Sequence, residues 1–211
     1  MTDAIVTAEK LLQADAVRLS PRNPFTWASG WKSPIYCDNR KLLSLPNIRE
    51  YIKSELCNVI FEKFSEAEVV AGVATAGIAW GAMVSDQLKL PFIYVRPKPK
   101  EHGLGNQIEG QYQKGQKIVV LEDLISTGKS SLQVVEVLRQ NGLEVVGMVS
   151  IFNYRFDQAK EAFEKHGVSY VSLTDYPTLL EMARSKGLVP QEELDVLLKW
   201  STDPANWQGL S

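Results

Sequence analysis

Cysteine is scarce in this chain of 211 residues, which has two, Cys37 and Cys57. Their positions match no metal-ligand or redox spacing, which argues against a zinc site or a disulfide framework. Reduced thiols in a cytoplasmic protein are expected instead. Excess charge of either sign is also absent: 23 Lys and Arg stand against 25 Asp and Glu, a net charge of -2. Without a general basic bias, no nucleic-acid partner is expected, and any phosphate must be held by a local site. No apolar run approaches the roughly 20 residues of a membrane span, so no membrane partner is expected either. Asp3, Glu9 and Lys10 interrupt the opening stretch, which leaves no apolar core for a secretion signal. Internal repeats and low-complexity linkers are missing too. What remains is a hydrophobic fraction of 45%, ample for a core, and a length that suits one domain with a small appendage.

Residues 3–19 carry Ile5, Ala8, Leu12, Ala16 and Leu19 on one stripe and predict an amphipathic helix. Residues 20–40 are rich in Pro, Ser, Gly and aromatics without clear period, and predict a loop-and-strand segment. A helix is expected over 46–64, with Pro46 near its first turn. Short apolar runs follow at 69–73, 91–95, 117–122, 145–152 and 168–172, with helical stretches at 76–89, 129–141 and 157–166. Apolar runs without alternation mark strands buried on both faces. Strands alternating with helices predict an α/β fold, a central parallel sheet flanked by helices. Such sheets bind ligands beyond the carboxyl ends of their strands. A last helix is expected over 190–200. Trp80, Trp200 and Trp207 read as packing residues, and His166 as a surface or capping residue.

Residues 118–131 read Ile-Val-Val-Leu-Glu-Asp-Leu-Ile-Ser-Thr-Gly-Lys-Ser-Ser. An apolar strand ends in two carboxylates, Glu122 and Asp123, and a short loop leads into a helix. Unpaired backbone N–H groups at the helix start, beside the positive end of its dipole, suit a phosphate. Gly128 permits close backbone approach, and Ser126, Thr127 and Ser130 add hydroxyl donors. The carboxylates would repel a phosphate at contact, so sugar hydroxyls or a developing positive charge are their natural partners. Gly128-Lys129-Ser130 imitates the end of a P-loop, but the first glycine of that motif would fall on Asp123. Its carboxylate would stand where phosphates should lie, which rejects a nucleotide triphosphatase. The plain alternative is an ordinary strand-to-helix turn.

Three other segments stand out. Residues 96–110 place Arg96, Lys98, Lys100 and His102 on a Pro- and Gly-rich loop directly after a strand. A cationic loop can close over an anionic leaving group and exclude water, and His102 can donate a proton. A solvated surface loop is the plain alternative. Residues 25–40, Phe-Thr-Trp-Ala-Ser-Gly-Trp-Lys-Ser-Pro-Ile-Tyr-Cys-Asp-Asn-Arg, combine tight turns with aromatic faces. They suit a flat anionic heterocycle or a packed hairpin. The small residues of 70–77 suit either backbone approach to a ligand or helix packing. Arg155, after the strand ending near 152, can pair a carboxylate bidentately or lie on the surface.

The run from 118 to 131 resembles the phosphoribosyl pyrophosphate (PRPP) signature of type I phosphoribosyltransferases. Arg96-x-x-x-Lys100-x-His102-Gly103 resembles the catalytic loop of the orotate phosphoribosyltransferases, and Phe25-Thr26-x-x-Ser29-Gly30-x-x-Ser33-Pro34 their hood. The resemblance implies the type I fold with a small N-terminal hood. It divides a single domain 1–211 into a hood of about 1–45, a core of about 46–175 and C-terminal helices over 176–211. It implies transfer of the phosphoribosyl group from PRPP to orotate, giving orotidine monophosphate and pyrophosphate. PRPP would be bound by Arg96, Lys100, His102 and the stretch Glu122, Asp123, Leu124, Ile125, Ser126, Thr127, Gly128, Lys129 and Ser130. Orotate would lie by Tyr36, Cys37, Ser126 and Arg155. Lys100, His102, Glu122 and Asp123 would be catalytic. Mg²⁺ would be held mainly by substrate oxygens and water rather than by protein ligands. A homodimer sharing the loop between subunits is implied as well.

The chain departs from the family at three places. Pro97 stands where many members carry a lysine, Ala28 where many carry another, and Thr75-Ala76 where some have Tyr-Lys. Two alternatives stay open. One is a phosphoribosyltransferase for another base, against which the hood pattern speaks. The other is a PRPP-binding regulator, against which the cationic loop and the lack of a basic helix-turn-helix speak.

Overall fold

The computed structural model describes residues 3–27, 29–99 and 106–209. The Asp3 carboxylate accepts from the Ile5 and Val6 amides and starts α1, Ala4–Gln13. This helix is shorter than the stripe to Leu19 predicts. Asp15 takes a positive φ of 51° and its carboxylate binds Arg18 and Lys41, so the chain turns there. Ala16 and Val17 still reach the core, the latter from a strand. That strand, β1 (Val17–Leu19), pairs antiparallel with β4 (Ile35–Cys37), while β2 (Phe25–Thr26) pairs with β3 (Lys32–Ser33). These four short strands form the N-terminal cap over the sheet. A 3-10 helix, Asn39–Ser44, leads to α2, Pro46–Lys63, with proline in its first turn as expected.

The central sheet has the order β10-β9-β8-β5-β6-β7. Its strands are β5 (Val69–Val73), β6 (Phe92–Val95), β7 (Ile108–Glu109), β8 (Lys117–Ile125), β9 (Glu144–Asn153) and β10 (Tyr170–Asp175). All neighbours run parallel except β7, which lies antiparallel on β6 at one edge. The remaining helices are α3 (Ala76–Leu88), α4 (Lys129–Gln140), α5 (Asp157–Lys165), α6 (Tyr176–Ser185) and α7 (Gln191–Thr202). One face of the sheet packs in a single hydrophobic cluster with α1, α2, α3, α6 and α7. Leu132, Val135 and Leu138 of α4 and Phe163 of α5 cover the other face. The α/β expectation is met, with helices on both faces.

Three details differ from the sequence pattern. The strand expected at 117–122 continues through both carboxylates to Ile125, because Leu124 and Ile125 still pair with Phe152 and Asn153 of β9. The last strand begins two residues later than expected and runs on to Asp175. The helix α6 had no signal strong enough to separate it from the tail. It begins where the Asp175 carboxylate accepts from the Thr178 amide and hydroxyl. Small residues at 72, 77 and 81 serve packing: a Cβ on Gly72 would lie 2.7 Å from the Gly77 carbonyl oxygen, and one on Gly77 2.6 Å from that of Leu121. The helix α3 can therefore lie close on β5 and β8.

Candidate active site

The carboxyl ends of β5, β6, β8 and β9 share one edge of the sheet, and the acidic strand end with the loop after it lies there. At the end of β8 the chain passes through Ser126 and Thr127 to Gly128, which caps α4 with φ 76°. No side chain caps this helix. Its first-turn amides are thus available, and they point where the helix dipole favours an anion. A Cβ on Gly128 would meet the Phe163 ring at 2.8 Å, so glycine is required for both conformation and space. Lys129 and Ser130 are exposed in the first turn.

The two neighbouring carboxyls have different surroundings. Glu122 is only 5% exposed. Its Oε1 accepts from the Asp123 amide at 3.0 Å and its Oε2 from the Ser131 hydroxyl, on α4, at 3.1 Å. Burial, reinforced by the negative charge of Asp123, lifts its carboxyl well above the ordinary range. Asp123 is half-buried. Burial lifts it as well, against a hydrogen bond with Glu122 and the charge of Arg40. The Asp123 carbonyl accepts from Asn39 Nδ2 at 2.7 Å. Asn39 is fully buried, so it ties the cap to the acidic strand.

Beside this strand lies a cleft of about 380 Å³, lined by Thr26, Trp27, Tyr36, Cys37, Leu124, Ser126 and Tyr154. Tyr36, Cys37 and Ser126 are brought together here, and Arg155 is not among the lining residues. Tyr36 is 40% exposed and packs its ring 5.6 Å from that of Phe25. The Cys37 thiol lies 3.5 Å from Asn39 Oδ1. Burial, with the charges of Asp123 and Asp38, pushes the thiol up, so it stays protonated. Arg155 sits just past β9 with φ 61°. Its side chain is 56% exposed, and its Nε donates to Asp175 at 2.9 Å. A wider groove of about 610 Å³ opens at the amino ends of the strands, lined by Pro91, Gly110, Gln111, Tyr112, Gln113 and Gln116. Its lining offers no charged group, so its size does not make it the site.

The basic loop springs from a short ribbon. Tyr94 and Val95 pair with Glu109 and Ile108. The Arg96 amide donates to the Gln107 carbonyl at 2.9 Å, and Gln107 Nε2 donates back to the Arg96 carbonyl at 2.8 Å. The Arg96 guanidinium stands 3.6 Å from Glu109. Lys100 and His102 lie outside the described residues. Nearby, the Ala74–Thr75 peptide is cis.

Several residues at this edge were not singled out from sequence. Tyr154, Asn39, Arg40 and Ser131 all contribute, beside Trp27, which the sequence placed among the packing aromatics of residues 25–40. Only Tyr154 had a signal, as the neighbour of Arg155 in an aromatic stretch following a strand. The others act through the cap's approach to β8, which no local pattern encodes.

Residues 40–176 match the family model described as a phosphoribosyl transferase domain. A protein of Phocaeicola vulgatus named orotate phosphoribosyltransferase is 53% identical over 201 residues, 95% of each chain. The crystal structure of orotate phosphoribosyltransferase from Aeropyrum pernix is similar, with TM-score 0.71 at 34% identity, over 83% of this chain and 97% of that one. The structure of Leishmania donovani UMP synthase gives TM-score 0.79 at 28% identity, over 94% of this chain and 42% of that longer one. The chain thus belongs to the phosphoribosyl transferase family, and within it to the orotate phosphoribosyltransferases.

Proposed function

We propose that this chain transfers the 5-phosphoribosyl group of PRPP to orotate, releasing pyrophosphate and forming orotidine 5'-monophosphate for pyrimidine synthesis. The observation that carries this is the acidic strand running into an uncapped helix start beside a cleft for a flat ring. The relatives' activity, at 53% identity, accords with it. The 5'-phosphate takes the amides from Ser126 to Ser130, where the dipole of α4 favours it. The heterocycle enters the cleft between Tyr36 and Ser126. The terminal guanidinium nitrogens of Arg155 pair with its carboxylate.

Asp123 accepts from the ribose hydroxyls and stabilises the positive charge that develops at the anomeric carbon as pyrophosphate leaves. Glu122 stands behind it and holds the first turn of α4 through Ser131. The loop carrying Arg96, Lys100 and His102 closes on pyrophosphate and excludes water. The ring nitrogen of orotate then forms the new bond to the anomeric carbon, and its N–H proton passes to the released pyrophosphate or to water.

The donor set fits a magnesium ion that arrives on the substrate. Among the described residues no cluster of three or more His, Cys, Asp or Glu could hold a metal. Magnesium on phosphates needs only one or two protein oxygens, which half-buried Asp123 can offer. When bound, the ion neutralises pyrophosphate oxygens.

We further read the chain as one domain, with a hood of about 1–45, a core to about 175 and C-terminal helices beyond. It is read as a cytoplasmic homodimer. Among the described residues no helix is long and apolar enough to cross a membrane.

The test is pyrophosphate release from PRPP with Mg²⁺, offering orotate, uracil, adenine, hypoxanthine and guanine in parallel. Release with orotate alone is expected. Release with another base overturns the assignment of the cleft, and PRPP binding without release for any base overturns the enzyme.

A further inference from the structure

Tyr154 follows β9 directly and lines the cleft, yet only 2% of it is exposed. Its ring is held by aromatic neighbours. Phe156 stacks on it at 5.3 Å and 11°, and Phe152 meets it at 5.2 Å and 88°. Trp200 of α7 stands 5.8 Å away at 78°, and Trp27 of the cap 5.0 Å away. With stacked and edge-on rings around it, the part of Tyr154 left for the cleft is its rim.

That rim carries the hydroxyl. Among the described residues, the hydrogen bond of Tyr154 is made by its backbone amide, to the Ile125 carbonyl. The buried polar atoms without a partner are Arg49 Nε, Trp80 Nε1, Asn153 Nδ2 and Thr174 Oγ1, and the Tyr154 hydroxyl is not among them. A hydroxyl that is neither bonded nor sealed opens on solvent space, and the space beside it is the cleft. The groups that bear on it electrostatically agree: Cys37, Tyr176, Tyr36 and Asp123, three of them at the cleft and its acidic edge. Burial also pushes this phenol up, so it keeps its proton and remains a donor at neutral pH.

We propose that Tyr154 is a specificity-determining residue whose hydroxyl donates a hydrogen bond to a ring carbonyl oxygen of the heterocycle bound in the cleft. The donor sits in a rigid aromatic cage, so it is aimed before the base arrives and loses little freedom on binding. A site built to bond one polar group rejects analogues that lack it more strongly than an apolar wall can. This inference rests on orotate being the base.

Tyr154→Phe keeps the ring and removes the donor. In the full-length protein, KM for orotate should rise roughly tenfold, with KM for PRPP and the melting temperature unchanged. Orotate analogues bearing a thiocarbonyl in place of one ring carbonyl give a second readout. For the analogue altered at the contacted position, the variant and the parent should have nearly equal KM. A merely structural role would not single out one ring position. An active parent whose Tyr154→Phe variant keeps its KM for orotate within twofold sinks the proposal alone. A parent inactive with orotate sinks it together with the assigned reaction.

Discussion

Replacing Asp123 by Asn removes a charge and keeps the shape, and so does replacing Glu122 by Gln. Their surroundings predict unequal outcomes. Asp123 is half-buried at the cleft's acidic edge, whereas Glu122 is sealed and bonded to the Asp123 amide and the Ser131 hydroxyl. Asp123→Asn should lower kcat by about 100-fold, the scale of losing one electrostatic partner of a transition state. Glu122→Gln should cost less than about tenfold, since the amide can still accept from the Asp123 N–H and donate to Ser131. Steady-state rates with PRPP and orotate decide this, and the reverse order would put the chemistry on Glu122. Stability separates the pair further. The folded-state value of Glu122 is raised above its ordinary 4.5. The folded protein therefore holds that proton more tightly than the unfolded chain. The resulting penalty is absent below about pH 4.5, grows as pH rises toward the folded-state value, and is full above it. Glu122→Gln lacks the ionisation. Its melting temperature relative to the parent should climb as pH rises from 4 to 8, as scanning calorimetry would show. A constant difference would mean that Glu122 does not titrate as its burial implies.

At the scale of elements, the turn from β8 to α4 is where sequence and structure agree most fully. The strand, Ser126, Thr127 and a glycine before a helix are all local features, and a glycine with φ 76° capping α4 is what they dictate. Gly128→Ala should cost about 1–2 kcal/mol for the left-handed backbone alone, before any clash with Phe163. KM for PRPP should rise more than that for orotate, because the phosphate amides belong to this turn. Equal changes in both would detach the turn from phosphate binding. The α1 boundary shows why other elements were less legible. The apolar stripe of residues 3–19 is met in part: Ala8 and Ala16 are buried, Leu12 and Leu19 are half-buried and Ile5 is exposed, while Leu11 and Val17, off that stripe, are buried. Burial, however, does not fix the element that achieves it. Asp15 breaks the helix through ion pairs with Arg18 and Lys41, the second of them distant in sequence. The cap strands are two or three residues long, too short for a period to show. The cleft was legible through Tyr36, Cys37 and Ser126. The bond that Trp200 donates to the Lys32 carbonyl at 3.2 Å was not, because that partnership crosses 168 positions of chain.

The whole molecule links its ends to its chemistry. The cap over the cleft is braced by the C-terminal helix α7, through Trp200 at one end and the pairing of Arg22 with Glu192 and Glu193 at the other. The basic loop springs from a stem held by the β6–β7 pairing and the reciprocal Arg96 and Gln107 bonds. That stem stands at the sheet edge, with β5 between β6 and the acidic strand β8. A loop at an edge can serve its own site or reach a second copy across a two-fold axis. A mixing experiment separates the two. Lys100→Ala disables the loop and Asp123→Asn the acidic strand, so each variant alone should be inactive, whether or not it pairs as proposed. If the loop acts across the dimer, a hybrid has one site that combines an intact strand with the partner's intact loop. Random exchange of equal amounts should then restore about one quarter of the parent activity, half the dimers being hybrid with one good site each. If each loop serves its own subunit, no hybrid site is complete and the mixture stays as inactive as its components.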